Sequence, residues 1–156
     1  MAIDVDLLKW YQCNEWEETA THGGTIDTAS EITDNVLNNV FDDVSDAERI
    51  AGDTDYRKIF FRNENADDYS GPKVWIETNT PAAGDEVFIA LGTADDVLSA
   101  ATAYDYYQPT SKAHADVLEP VTIGEDESFS IWIKRVVTAE ADGYENNYFV
   151  LKVENS

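Results

Sequence analysis

Carboxylates are the chemistry this sequence offers most freely, with 32 Asp and Glu among 156 residues. The densest group is Asp42, Asp43, Asp46 and Glu48, followed closely by Asp53 and Asp55. Oxygen ligands crowded in this way are what Ca²⁺ and Mg²⁺ select. An EF-hand loop needs oxygens at alternating positions, a central Gly and a closing Glu. Counted from Asp53, the fifth and sixth positions are Arg57 and Lys58, so the pattern fails. Asp42, Asp43, Asp46 and Glu48 therefore read as a solvated acidic loop, and as weak candidates for a divalent cation. Carboxylate pairs suited to glycoside hydrolysis occur throughout the chain, so pairing distinguishes none of them.

Nucleophilic chemistry has less to draw on. Cys13 is the only cysteine, which rules out an intrachain disulfide. A reactive thiol needs a base beside it, and the histidines are His22 and His114. The plain reading of Cys13 is a small buried hydrophobe. One Cys and two His at scattered positions do not make a zinc ligand set. His22-Gly23-Gly24 reads as a turn entering a strand. The sequence contains no G-x-S-x-G elbow, no G-x-G-x-x-G run and no P-loop. No catalytic residue and no cofactor is expected; the chain reads as a protein that binds or assembles.

The elements that position these residues show period-two alternation. Residues 56–63 put Ile59 and Phe61 on one face, and residues 73–78 do so with Val74 and Ile76. Val87, Ile89 and Leu91 alternate in 86–91, Phe129, Ile131 and Ile133 in 128–137, and Phe149, Leu151 and Val153 in 148–153. Weaker strands are read at 5–12, 25–32 and 116–123. Turn-forming runs at 80–85, 140–147 and 63–71 separate the strong ones. Residues 30–49 carry either one short helix or an irregular loop, with Asn35, Asn38 and Asn39 favouring the loop. The expected fold is an all-β, single-domain antiparallel sandwich over 1–156, immunoglobulin-like or jelly-roll-like, with a small β-barrel as the alternative. Residues 92–127 form a long loop excursion, and 1–22 are a candidate N-terminal docking segment.

Phe60, Trp75, Phe88, Trp132 and Tyr148 alternate onto the face opposite the aliphatic one. A simple sandwich keeps that face polar. Either the N-terminal segment or the long loop covers these rings, or a neighbouring protein does. The interaction candidates are Trp10, Tyr11 and Trp16 in the N-terminal segment, Tyr104, Tyr106 and Tyr107 in the excursion, and Trp75 and Trp132 on the strands. Folding of the N-terminal aromatics back onto the domain is the competing expectation. The ten basic residues read as partners for nearby acids, with Arg57 partly buried against one.

The net charge is −22 and the acids are spread along the whole chain. Repulsion of this size weakens a compact state at low ionic strength, and a Debye length of about 3 Å at 1 M salt removes most of it. The composition suits a protein of concentrated salt. It argues against direct nucleic-acid binding, since no basic stripe could displace counterions from phosphates. No run of about 18 apolar residues occurs, so no membrane span is expected. The start, MAIDVDLLKWYQ, lacks the basic region of a secretory signal.

Several segments, in order, resemble a family of small virion proteins of tailed viruses. They are Gly23-Gly24-x-Ile26, Glu31-Ile32-Thr33, Leu37-Asn38-Asn39-x-Phe41-Asp42-x-Val44 and Ala51-Gly52-Asp53-Thr54-Asp55-Tyr56-Arg57. Lys73-Val74-Trp75-Ile76, Asn79-Thr80-Pro81, Ile131-Trp132-Ile133-Lys134-Arg135, Tyr144-x-Asn146-Asn147 and Phe149-x-Leu151-x-Val153-Glu154 follow. The resemblance runs from about residue 20 to the end and is carried by strand and turn residues. It implies a capsid decoration or cement protein that binds the major capsid protein and neighbouring copies of itself, as a homotrimer in many such proteins. It implies a place on the capsid exterior after synthesis in the host cytoplasm. The chain departs from the family in its acidity, with Glu125-Asp126-Glu127 at a usually neutral turn, and in its aromatic cluster at 104–107. The acidity points to a virus of a salt-loving, haloarchaeal host. A tail, neck or fibre-associated subunit and a carbohydrate-binding sandwich module are the alternatives.

Overall fold

A strand that alternates aliphatic and other residues must bury one face, and the seven strands among the described residues, most of them of this kind, form two sheets. The computed structural model describes residues 3–34, 36, 38–80, 84–117, 120–140 and 148–155. In chain order the elements are β1 (Leu8–Glu15), β2 (Gly23–Glu31), α1 (Asp46–Ala51), β3 (Asp53–Asn63), β4 (Pro72–Thr78), β5 (Asp85–Leu91), α2 (Leu98–Ala101), β6 (Glu127–Val137) and β7 (Val150–Asn155). One sheet has the order β2-β1-β3-β6-β5, and β4 pairs with β7 in a second. All pairings are antiparallel. The five-stranded sheet is open at β2 and β5, so the architecture is sandwich-like and not a closed barrel.

β3 and β6 run opposite each other from Asp53↔Val137 to Asn63↔Glu127, placing Ile59 against Ile131 and Phe61 against Phe129. Their aliphatic face meets that of the smaller sheet. Ile59, Phe61, Val74, Ile76, Val87, Ile89, Phe129, Ile131 and Ile133 form one buried core, with Leu91, Phe149, Leu151 and Val153 packed against it. Phe41 closes one end of this core against Phe149, with ring centroids 6.2 Å apart.

The excursion covers the other face of the large sheet. α2 buries Ala101 against Trp132 and Ala90. Tyr107 then exchanges backbone hydrogen bonds with Ile89 on the edge of β5, and the carbonyl of Pro109 accepts from the amide of Ile76 in β4. A 3₁₀ turn at Lys112–Val117 packs on β4. The excursion thus occupies backbone groups on two sheet edges that would otherwise template further pairing. Trp132 and Trp75 are buried, and Phe60 packs beneath Tyr11 and Cys13. Of the outward aromatics Phe60, Trp75 and Trp132 are buried, Phe88 is half-buried and Tyr148 is exposed.

Three expectations need correction. The described residues of 116–123 form no strand: residues 112–117 coil into the 3₁₀ turn, Pro120 has no N–H to donate to a ladder, and Ile123 makes one bridge to Tyr69; Leu118 and Glu119 lie outside the described residues. The first strand begins at Leu8, because Asp4 caps a 3₁₀ turn at Val5–Leu7 by accepting from the amide of Asp6. Within 30–49 loop and helix both occur. Ser45 and Glu48 cap each other's backbone amides, a reciprocal box that starts α1. Turn residues 81–83 and 141–147, and Asn35 and Leu37, lie outside the described residues.

Ile131→Ala should lower stability by about 2–5 kcal/mol, the usual cost of an unfilled core site. Val121→Ala, at a side chain 71% exposed, should stay within about 0.5 kcal/mol. Urea unfolding of both variants in molar salt measures the contrast.

Candidate functional site

β1 and the turn leading into β2 bring Cys13 and His22 together, both fully buried, with Sγ 3.9 Å from each ring nitrogen. The backbone amide of Lys58 donates to His22 Nε2 at 2.9 Å. Nε2 is therefore the acceptor, and the ring proton sits on Nδ1, 3.1 Å from the carbonyl oxygen of Trp16. Burial, helped by the nearby Arg57 charge, pushes His22 down to about 4, and burial pushes the Cys13 thiol up to about 11. At neutral pH the pair is a thiol beside a neutral imidazole, the reverse of an activated thiolate. His114 is exposed beside Ser111.

A second buried pair is missed by reading the sequence as strands and motifs. Lys58 lies on the outward face of β3, has no solvent exposure, and places Nζ 2.6 Å from Asp96 Oδ1 at the start of the excursion. Nζ also donates to the carbonyls of Gly24 at 2.7 Å and Asp96 at 3.2 Å. Asp96 Oδ2 accepts from Tyr104 Oη at 2.6 Å and from the amide of Thr93 at 3.0 Å. Burial holds the Lys58 amine below its ordinary value. Burial pushes Asp96 up, but the hydrogen bonds from Lys58 and Tyr104 outweigh it and leave the carboxyl below the usual range. The available signal was a lysine two residues before Phe60 and directly across from Trp132, on a strand face that the aromatics already marked.

The acidic group divides. Asp42, Asp43 and Asp46 are exposed. Glu48 instead joins Asp53 and Asp55, with one carboxylate oxygen from each lying within 4.8 Å of the others. Asp55 is hydrogen-bonded to Glu18 and receives Arg135 Nη2 at 2.7 Å, while Arg57 Nη1 lies 3.5 Å from Glu18. Carboxylates in hydrogen-bond contact must share protons. The bond to Glu48, then burial, raises Asp53 to about 7; burial, then the bond to Asp55, raises Glu18 to about 7. Asp55 is pushed up by burial but brought below its ordinary value by hydrogen bonds from Glu18 and Arg135, and Glu48 is held low by its bonds to Asp53 and Ser45.

The aromatic candidates are dispersed. Trp10 packs edge-on to Phe61 at 5.0 Å, and Trp16 lies 5.6 Å from the His22 ring. Tyr11 is buried and donates to Glu64 at 2.6 Å. Tyr104 binds Asp96, and Tyr106 donates to the carbonyl of Ala101 while its ring lies tilted against Tyr56, centroids 5.7 Å apart. Tyr11, Trp75 and Trp132 are buried within the chain, and of the eight candidates Tyr107 is the exposed one. Exposed apolar surface lies elsewhere. Ile3, Val5, Leu8, Tyr69 and Val153 line an open groove of about 460 Å³, with Lys112, Lys152 and Glu154 at its rim. Val5 is 73% exposed there.

No family model, curated protein or solved structure matches this chain.

The raised carboxyls carry a pH signature with a definite sign. Asp53 and Glu18 hold protons in the folded state that the unfolded chain releases from about its ordinary values of 3.8 and 4.5. Between there and about 7 they make stability fall as pH rises, whereas Asp55 and Glu48, held low in the folded state, act only below their ordinary values. Asp53→Asn should flatten this slope. Urea midpoints at pH 5 and 7.5 in molar salt, for the wild type and the variant, test it; equal slopes would show that the four carboxyls are not coupled.

Proposed function

We propose that this chain is a non-enzymatic structural virion protein, a decoration or cement subunit that binds the lattice of a major capsid protein on a tailed virus of a salt-loving host. The observation that carries the reading is apolar surface on a strongly acidic molecule. Val5, Tyr148 and Val150 are exposed on a chain of net charge −22, the first of them beside the open groove between the N-terminal segment and β7. Such a surface docks through apolar contact once salt has screened the like charges, and repetition on a lattice multiplies weak contacts.

The positions that carry the resemblance to small head proteins support this reading. Arg57 donates to the carbonyl of Val40, and Arg135 to that of Asp42, so the Phe41 segment is held by two matching residues. Asn79 Oδ1 accepts from the amide of Val87, and Asn79 Nδ2 donates to the carbonyl of the same residue, tying the end of β4 to β5. These are residues that set the chain path. For a carbohydrate-binding role, buried Trp75 and Trp132 offer no face on which a sugar could stack, which leaves exposed Tyr107 of the 104–107 cluster as its platform. A tail, neck or fibre-associated subunit shares the same surface and differs in stoichiometry.

The test is the copy number per purified particle, in molar and then in dilute salt. A decoration protein should approach the copy number of the major capsid protein and leave the particle reversibly as salt falls. A handful of copies would assign it to the tail, and none would remove it from the virion.

A further inference from the structure

Lys58 and Asp96 hold the two halves of an amide bond in contact inside the protein. Nζ lies 2.6 Å from Oδ1, the lysine side chain has no exposure and the aspartate side chain 6%. The surroundings are dry and aromatic: Nζ sits 4.9 Å from the Phe60 ring centroid and 5.9 Å from that of Trp132. Two backbone carbonyls, of Gly24 and Asp96, take two of the nitrogen's hydrogens. Asp96 Oδ1 lies in contact with the same nitrogen as a charge partner. On the far side of that carboxyl, the Tyr104 hydroxyl and the Thr93 amide both donate to Oδ2.

We propose that Lys58 and Asp96 condense to an intramolecular isopeptide bond, so that the mature protein carries a covalent crosslink between β3 and the excursion. The step balances with no oxidant or co-reactant. The ammonium passes one proton to Oδ1, giving a neutral amine beside a neutral acid. The nitrogen lone pair attacks Cγ, and negative charge develops on Oδ2 between the Tyr104 and Thr93 donors. The Cγ–Oδ1 bond then breaks. Oδ1 leaves as water, carrying the transferred proton and a second one from nitrogen. Ammonium plus carboxylate become amide plus water, and Oδ2 becomes the amide oxygen.

Burial displaces the Lys58 amine toward its neutral form, while the hydrogen bonds to Asp96 hold its carboxyl toward the charged form, so the proton transfer is the step that the dry surroundings must favour. Fixed contact supplies the proximity that a free amine and acid lack in solution. The product also removes two charges from a low-dielectric interior, where an ion pair is costly to desolvate. The crosslink closes the chain from residue 58 to 96, a constraint on the unfolded state of the kind that a disulfide supplies and that this sequence, with one cysteine, cannot form.

Intact-mass measurement of the full chain, denatured after incubation at neutral pH in molar salt, tests the proposal. The wild type should weigh less than its sequence by one water, and proteolysis should yield a branched peptide joining Lys58 to Asp96. Lys58→Arg should have its full sequence mass. Full sequence mass in wild-type protein whose near-ultraviolet circular dichroism is native would overturn the proposal, whatever the variant does. So would a water loss that maps to a succinimide at Asp142-Gly143 instead of to the branched peptide.

Discussion

A single lysine without solvent exposure is the constraint on which one whole side of this molecule depends. Lys58 points away from the aliphatic core and meets Gly24 from the start of β2 and Asp96 from the excursion. Around this contact the amide of Gly24 donates to the carbonyl of Asp96, and the amide of Leu98 to that of His22. Gly23 is part of the same junction: its φ is +122°, and a Cβ there would lie 2.6 Å from the Asp96 carbonyl oxygen. Close backbone approach at glycine lets β2 and the excursion share the space over Trp132. Removing one member of a buried charged pair costs about 3–5 kcal/mol, because its partner is left charged in a dry site.

The same logic organises the rest of the charge. Three of the ten basic residues, Arg57, Lys58 and Arg135, are buried. Arg57 and Arg135 stand 5.8 and 4.6 Å from the Phe41 ring and bind carbonyls on either side of it. They also neutralise Glu18 and Asp55 in the carboxylate chain that reaches to Glu48. Cations therefore serve the interior, and the surface is more acidic than the composition alone conveys. Such a surface repels its own copies in dilute solution and associates where salt is concentrated.

The core was legible in the sequence because burial on one face of a strand leaves a period of two. Ile59, Val74, Ile89, Ile131 and Leu151 follow that rule, and each lies where it predicts. Arg57 was legible as a buried cation because it shares that face. The pairing of β4 with β7 in a separate sheet was not, since no local signal says which strands meet across the chain. Polar nodes were hidden for a related reason. Glu48 read as a member of the run beginning at Asp42, but α1 turns it toward Asp53 and Asp55. Lys58 read only as one of ten cations with an acid nearby, because the acid that pairs with it lies more than thirty residues later. Trp75, Trp132 and Tyr11 looked like contact residues for the same reason: what covers them comes from elsewhere in the chain.

Native-state hydrogen exchange of Lys58→Met in molar salt tests most directly whether Lys58 pins the excursion to the sheet. The account predicts that the amides of Gly24 and Leu98, which bridge β2 and the excursion, lose protection, while the β3–β6 ladder from Ile59 to Phe61 keeps it. Unchanged protection at Gly24 and Leu98, or an equal loss at every amide, would contradict it.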